Sequence, residues 1–250
     1  MKAIWTGSIS FGLVSIPIKL YSAIQHHAVN FKLLHKKDNS PIKYKRFCEK
    51  ENKEVEWKDI SKGLEISKDK FLIMSKEEIE KLKPAKSDLI EIVEFIDTNH
   101  VDPIYFNSHY FMAPQKEKEK AYFLFKEVLQ STNKIAIARF TMKEKQHVAV
   151  ISSYKNGLLL STLNYSYEIK DIKGIEELKS PPELKKPEIK LAEELINKLY
   201  KPSFNIQEFK DEFLEQLKEA IKKKEKGVIE IKEEVKPHKN LVEALKASLK

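Results

Sequence analysis

The 250-residue chain has 41% hydrophobic and 34% charged side chains and a formal net charge of +8. That balance excludes a disordered chain and fits a highly charged globular protein of one or two domains. No apolar run approaches the roughly 20 residues of a membrane span. Only Lys2 precedes a stretch broken by Gly and Ser, so neither an anchor nor a secretory signal is expected. A single cysteine, Cys48, excludes an intrachain disulfide; it fits a reducing compartment and chance equally well, and the lack of a signal or anchor leads to an expected location inside the cell.

The opening stretch, Ile9 to Tyr21, is rich in β-branched and aromatic residues around Pro17, which predicts a strand, a bend and a second strand. Residues 29–35 and 42–48 alternate apolar and basic side chains about the turn-like Lys37-Asp38-Asn39-Ser40-Pro41. This is hairpin chemistry, with Lys43 and Lys45 on one face and the facing of Arg46 left open. Phe71 to Met74 is expected as a short buried strand. Ser75-x-x-Glu78 reads as a capping box for a short helix ended by Pro84. Asp88 to Phe95 predicts another strand, and an aromatic cluster follows Asp102-Pro103. Tyr122, Phe125 and Leu129 mark a helix over residues 116–132. Lys134 to Met142 and His147 to Tyr154 form a strand pair, with Asn156-Gly157 turning into Leu158 to Leu163. Pro181, Pro182 and Pro187 read as a linker, after which one helix carries Ile189, Leu195, Ile196 and Leu199. A second helix, from about Gln207 to Lys226, carries Phe209, Phe213, Leu217 and Ile221 and stops at Gly227. That apolar stripe must be covered by the chain's own body or by a second subunit, and the sequence leaves both open.

The charge is unevenly placed. Residues 1–50 hold nine Lys/Arg against Asp38 and Glu49, so most of the excess is N-terminal. A concentrated positive field suits phosphate-backbone binding, which needs no base identity. A solvated, solubilising surface is the other reading. Only Arg46 and Arg139 are arginine among 46 basic residues, and arginine's planar fork serves a phosphate or a buried carboxylate equally well. Enzymatic signatures are missing. Gly7 and Gly12 have phosphate-loop spacing, but Leu13 and Val14 stand where Lys and Ser/Thr are required. GxGxxG, HExxH, GxSxG and the Lys-x-Asp-Gly of nucleotide-accepting ligases do not occur. Cys48 and the His26-His27 pair supply no spaced zinc ligands, and the histidines are expected at the surface. No cofactor and no metal are expected.

Read in order, MKAIWTGSISFGLVSIPIKLYSA, LHKKDNSPIKYKRFC, EEIEKLKPAKSDLIEIVEFID, VDPIYFNSHYFMAP, KIAIARFTMKEKQHVAV and EIKLAEELINKLYKPSFNIQEFKDEFLEQLKEAIKKK closely resemble successive segments of prokaryotic Ku proteins. The resemblance implies a mixed α+β fold with a central antiparallel β-barrel core over residues 1–187. It includes an extended bridge at about residues 29–75 that closes a ring with a twofold mate. A helical C-terminal arm over residues 188–227 would embrace the partner subunit, and a short tail covers 228–250. The implied function is non-homologous end joining: a homodimer binds double-stranded DNA ends without reading sequence, bridges them, and recruits an ATP-dependent, LigD-like DNA ligase. It implies no enzymatic activity and a cytoplasmic, nucleoid-associated location.

Charge placement and the bridge together nominate Lys36, Lys37, Lys43, Lys45 and Arg46 for phosphate contacts, with Lys134 and Arg139 from the later strand pair. Phe209, Phe213 and Leu217 are the expected dimer contacts. Leu241, Val242, Leu245 and Leu249 form a narrow apolar stripe expected to dock the ligase. Two departures from the family pattern stand out. Many relatives have Cys-x-x-Cys-Gly where this chain reads Cys48-Glu49-Lys50-Glu51-Asn52, and many have a longer Lys/Pro-rich tail. The competing readings are a monomeric barrel binding single strands or RNA, stacking bases on Trp5, Tyr44 and Phe47 unless these are core, and a nuclease or ligase subunit.

Overall fold

The structure, a computed structural model, describes residues 1–25, 29–84 and 87–224. The chain divides into two compact units, one of residues 1–27 with 55–183 and one of residues 28–54 with 184–250.

In the first unit seven strands close a barrel. They are β1 (Trp5–Phe11), β2 (Val14–Ser22), β7 (Leu89–Asp97), β8 (Phe106–Pro114), β9 (Lys134–Met142), β10 (Lys145–Tyr154) and β11 (Gly157–Leu163), in the order β1-β2-β8-β11-β10-β9-β7. Period-two alternation sends Ile16, Ile18 and Leu20 of β2 and Ala136, Ala138 and Phe140 of β9 into the core. Each neighbouring pair is antiparallel except β7 and β1, which run parallel from Ser8↔Leu89 to Ser10↔Glu91. Seven strands cannot alternate direction all the way round a closed ring, so one parallel seam is unavoidable. At that seam Ser8 N–H donates to Asp88 O at 2.8 Å. A Cβ on Gly7 would lie 2.2 Å from the same oxygen, which is why glycine stands there.

Helix α2 (Glu119–Thr132) packs against β2, β9, β10 and β11 through Tyr122, Phe125 and Leu129, the three residues that the helical spacing marks. Phe125 stacks on Phe11 at 5.4 Å, and the Tyr122 hydroxyl donates to Met112 O at 2.6 Å and accepts from Leu158 N–H at 2.8 Å. Asn133, in the left-handed region at φ 53°, ends the helix. Helix α1 (Lys76–Leu82) has the capping box that the sequence predicts, with Ser75 Oγ accepting Glu78 N–H and the Glu78 carboxylate accepting Ser75 N–H.

Outside the barrel are two small sheets. Strands β5 (Lys62–Ser67) and β6 (Lys70–Met74) pair only with each other, as do β3 (Phe47–Cys48) and β4 (Lys53–Glu54). The expectation that Phe71 to Met74 is buried is corrected. Among the described residues no layer packs on this two-stranded sheet, and Phe71 and Ile73 are 60% and 69% exposed. The hairpin expected from residues 29–35 and 42–48 is paired only near its tip, where Leu34 bridges Pro41, while Phe47 and Cys48 pair with β4.

In the second unit, α3 (Lys186–Leu199) begins one residue before Pro187, which its first turn tolerates. The last described helix starts later than the sequence suggests. Asp211 accepts Leu214 N–H at 2.9 Å and caps α4 (Glu212–Lys223), so Phe209 lies outside it in extended backbone. No described helix is long and apolar enough to cross a membrane.

Candidate nucleic-acid interface

The basic segment is built around a tight turn. Leu34 bridges Pro41, His35 N–H donates to Ser40 O at 2.8 Å, and Ile42 N–H donates to Leu33 O at 3.0 Å. Asn39 supplies the positive φ of 58° that the reversal requires. Asp38 holds the turn from within. Its carboxylate accepts the Ser40 N–H at 3.0 Å and hydroxyl at 2.8 Å and lies 3.0 Å from His35 Nδ1. These bonds, the Ser40 N–H foremost, lower the Asp38 pKa below the usual carboxylate value. The carboxylate is thus occupied with the backbone, while Lys36 and Lys37 stand exposed beside it.

Lys43, Lys45 and Arg46 are also exposed. Lys45 Nζ donates to Glu54 Oε2 at 2.6 Å, tying the basic segment to β4. The same segment exposes Phe31, Tyr44 and Phe47, at 73%, 85% and 57%. Tyr44 and Phe47 are therefore not core residues, whereas Trp5 packs partly buried against the barrel core, edge-on to Phe140 at 6.2 Å.

The other two nominated cations are on β9 in the barrel unit. Lys134 Nζ donates to Asp97 Oδ1 at 2.8 Å, and this bond lowers the Asp97 pKa. Arg139 is exposed at mid-strand, in register with Glu91 of β7 and Val148 of β10. The structure thus places Lys36, Lys37, Lys43, Lys45 and Arg46 in one unit and Lys134 and Arg139 in the other.

Two apolar surfaces stand open. On β5 and β6, Leu64, Ile66, Phe71, Leu72 and Ile73 are all exposed, and sequence reasoning missed this because it found one strand of the pair and took it for core. Adjacent Gly63 and Ser67, with Lys68-Asp69 as a turn, were the available signal. Helix α4 and the segment between it and α3 carry the second surface. Phe209 and Phe213 are 69% and 72% exposed, Leu217 is half-buried, and Phe209 meets Phe204 at 5.6 Å. Leu241, Val242, Leu245 and Leu249 lie outside the described residues, as do His26 and His27. Among the described residues no three His, Cys, Asp or Glu side chains are grouped to hold a metal ion.

Residues 10–213 match the Ku family, as the Ku70/Ku80 beta-barrel domain. This chain belongs to the Ku family. It is 39% identical over its whole length to the non-homologous end joining protein Ku of Archaeoglobus fulgidus, 98% of which is covered. It is 37% identical to the protein of that name from Solibacter usitatus, over 99% of this chain and 92% of the relative. The Bacillus subtilis protein of that name is 34% identical over all of this chain and 82% of its own. The Ku match runs from the end of β1 through the other six barrel strands and both small sheets to the first helical residues after Asp211.

Proposed function

We propose that this chain binds the ends of double-stranded DNA without reading their sequence, as a homodimer whose bridge segments close a ring. The observation that carries this reading is the exposed segment between β2 and α1, in which lysines alternate with uncovered aromatic and aliphatic side chains around two small sheets that pair with nothing in the barrel. A two-stranded sheet with apolar residues open to water is marginal alone, and a second copy is the covering that makes it stable. The lysines neutralise phosphates by position and charge, a mode indifferent to base identity. A closed ring threads onto a terminus but not onto an uninterrupted duplex, which supplies preference for ends by topology.

Holding two ends together and recruiting an ATP-dependent DNA ligase complete the role. The relatives' shared name, non-homologous end joining protein, supports that part. The role needs no chemistry from this chain, and nuclease assays with Mg²⁺ or Mn²⁺ and an ATP-adenylation assay are expected to be negative. The deciding experiment is competition between linear and covalently closed duplex of one sequence, with solution mass measured with and without a short blunt duplex. Linear DNA is expected to win and the mass to be that of a dimer. Equal competition by the closed circle would overturn end binding.

A further inference from the structure

At one rim of the barrel, where β8 and β10 begin and β11 ends, the surface sinks into a cleft of about 530 Å³. Its wall is a short helical turn, residues 166–168, which carries Tyr167 and is preceded by Tyr165 at its N-cap. Tyr165 is anchored twice, its N–H donating to Glu168 Oε2 at 2.7 Å and its hydroxyl to Gln146 O at 3.2 Å. Tyr167 lies parallel to it, with ring centroids 5.4 Å apart and planes inclined by 7°, yet is 80% exposed. An aromatic ring held flat on an anchored neighbour with most of its surface in water is a platform whose ordering cost has been met in folding.

The rest of the cleft is polar. Asn107 Nδ2 donates to Asn164 Oδ1 at 2.6 Å, and Ser108 Oγ donates to Asn107 Oδ1 at 3.0 Å, so amides and hydroxyls of both polarities line one side. His147 is half-buried, and burial lowers its pKa, which leaves the ring neutral near pH 7. Lys145 is the cation of the lining, and the carboxylate of Glu168 is engaged by the Tyr165 backbone. A planar ring platform, mixed donors and acceptors and one ammonium group match a flat heterocycle bearing a single anionic group. That describes a nucleotide, and a base buried in a duplex stack cannot reach such a platform.

We propose that this rim cleft holds one unpaired nucleotide at a DNA end, its base stacked on Tyr167 and its phosphate neutralised by Lys145. The proposal rests on the end-binding reading for its source of nucleotide, and it would let a sequence-blind protein sense whether an end is blunt or carries an overhang.

The test uses the full chain and a short duplex bearing 2-aminopurine as a single unpaired 3′ nucleotide, beside the blunt duplex. Stacking is expected to quench the fluorescence on binding. Tyr167→Ala should abolish the quench and weaken binding of the overhang duplex about fivefold, the low end for base–aromatic stacking, without changing blunt-end affinity. Tyr167→Phe should behave as the parent, and Lys145→Ala should weaken the overhang duplex alone. An unchanged quench in Tyr167→Ala, or equal loss on blunt and overhang duplexes, overturns the proposal. A 2-aminopurine trinucleotide without any duplex separates the two readings. Quenching there that Tyr167→Ala removes supports the cleft even if closed circles compete as well as linear DNA. No quenching with trinucleotide or overhang overturns the cleft and leaves end binding standing.

Discussion

Lys45 shows how a nominated phosphate contact can be held in check by its own protein. Its ammonium group sits 2.6 Å from the Glu54 carboxylate, and both side chains are exposed, so the pair contributes little to stability but opposes any phosphate that approaches. Glu54→Gln should therefore tighten DNA binding, by no more than about fivefold for an exposed pair. Lys43→Ala with Lys45→Ala should weaken it equally on all sequences and reduce the log–log salt slope by about two. Fluorescence anisotropy across a salt series measures both. His147 carries a different consequence. Burial holds its folded-state pKa below the ordinary value of 6.5, so as pH falls the unfolded chain takes up this proton first. The stability linked to His147 is full above pH 6.5 and is lost as pH falls from there towards the folded-state pKa. The thermal midpoint should drop between about pH 7.5 and about pH 5.5, and His147→Gln should flatten that part of the profile.

Among the elements, α2 adds to its apolar packing on the barrel one hydroxyl that bonds two strands. Tyr122 is 1% exposed, and its oxygen serves a carbonyl of β8 and an N–H of β11. Tyr122→Phe removes both of these hydrogen bonds in a buried site. It should cost about 2 kcal/mol, read as a lower urea midpoint at unchanged slope, with DNA affinity intact. The helix α2 and the barrel strands were legible because each buries one face, and burial writes a period of two or of about four into the residues: Ile16, Ile18 and Leu20 on β2, then Tyr122, Phe125 and Leu129 on α2. Where no burial acts within one chain, the pattern misled. Phe71 and Ile73 have the composition of core yet stand in water, and Phe209 continues a helical stripe that Asp211 has already excluded from its helix. The candidate cations were readable as a charge excess, but the local anions that engage Lys45 and Lys134 are distant in sequence. Nothing in the order of residues pairs Lys134 with Asp97. The uncovered stripe of α4 gives the next prediction. A chain ending at residue 187 should be monomeric or insoluble by sedimentation, and a soluble dimer from it would move the subunit contact to β5, β6 and the basic segment.

At the scale of the whole molecule, the proposed ring joins two kinds of surface that respond oppositely to salt. Phosphate contacts by the lysines weaken as salt rises, because the counterions they displace become more costly to release. An apolar subunit contact made by side chains such as Phe71, Ile73 and Phe213 is not weakened by salt, and excluded anions such as sulfate strengthen it. A ring held shut by apolar surface and held to DNA only by charge therefore loses its grip at high salt without opening. On a linear duplex with free ends it should slide off. On the same duplex with both ends capped by a bulky protein after loading, it should stay, because leaving requires the dimer to part. Protein retained on immobilised DNA after a wash at about 1 M salt, where charges are screened beyond about 3 Å, measures this directly. Retention on capped DNA and loss from uncapped DNA are the expected pair of results. Loss from both would mean that the protein grips DNA as an open clamp, and the phosphate contacts would then carry the whole of the affinity.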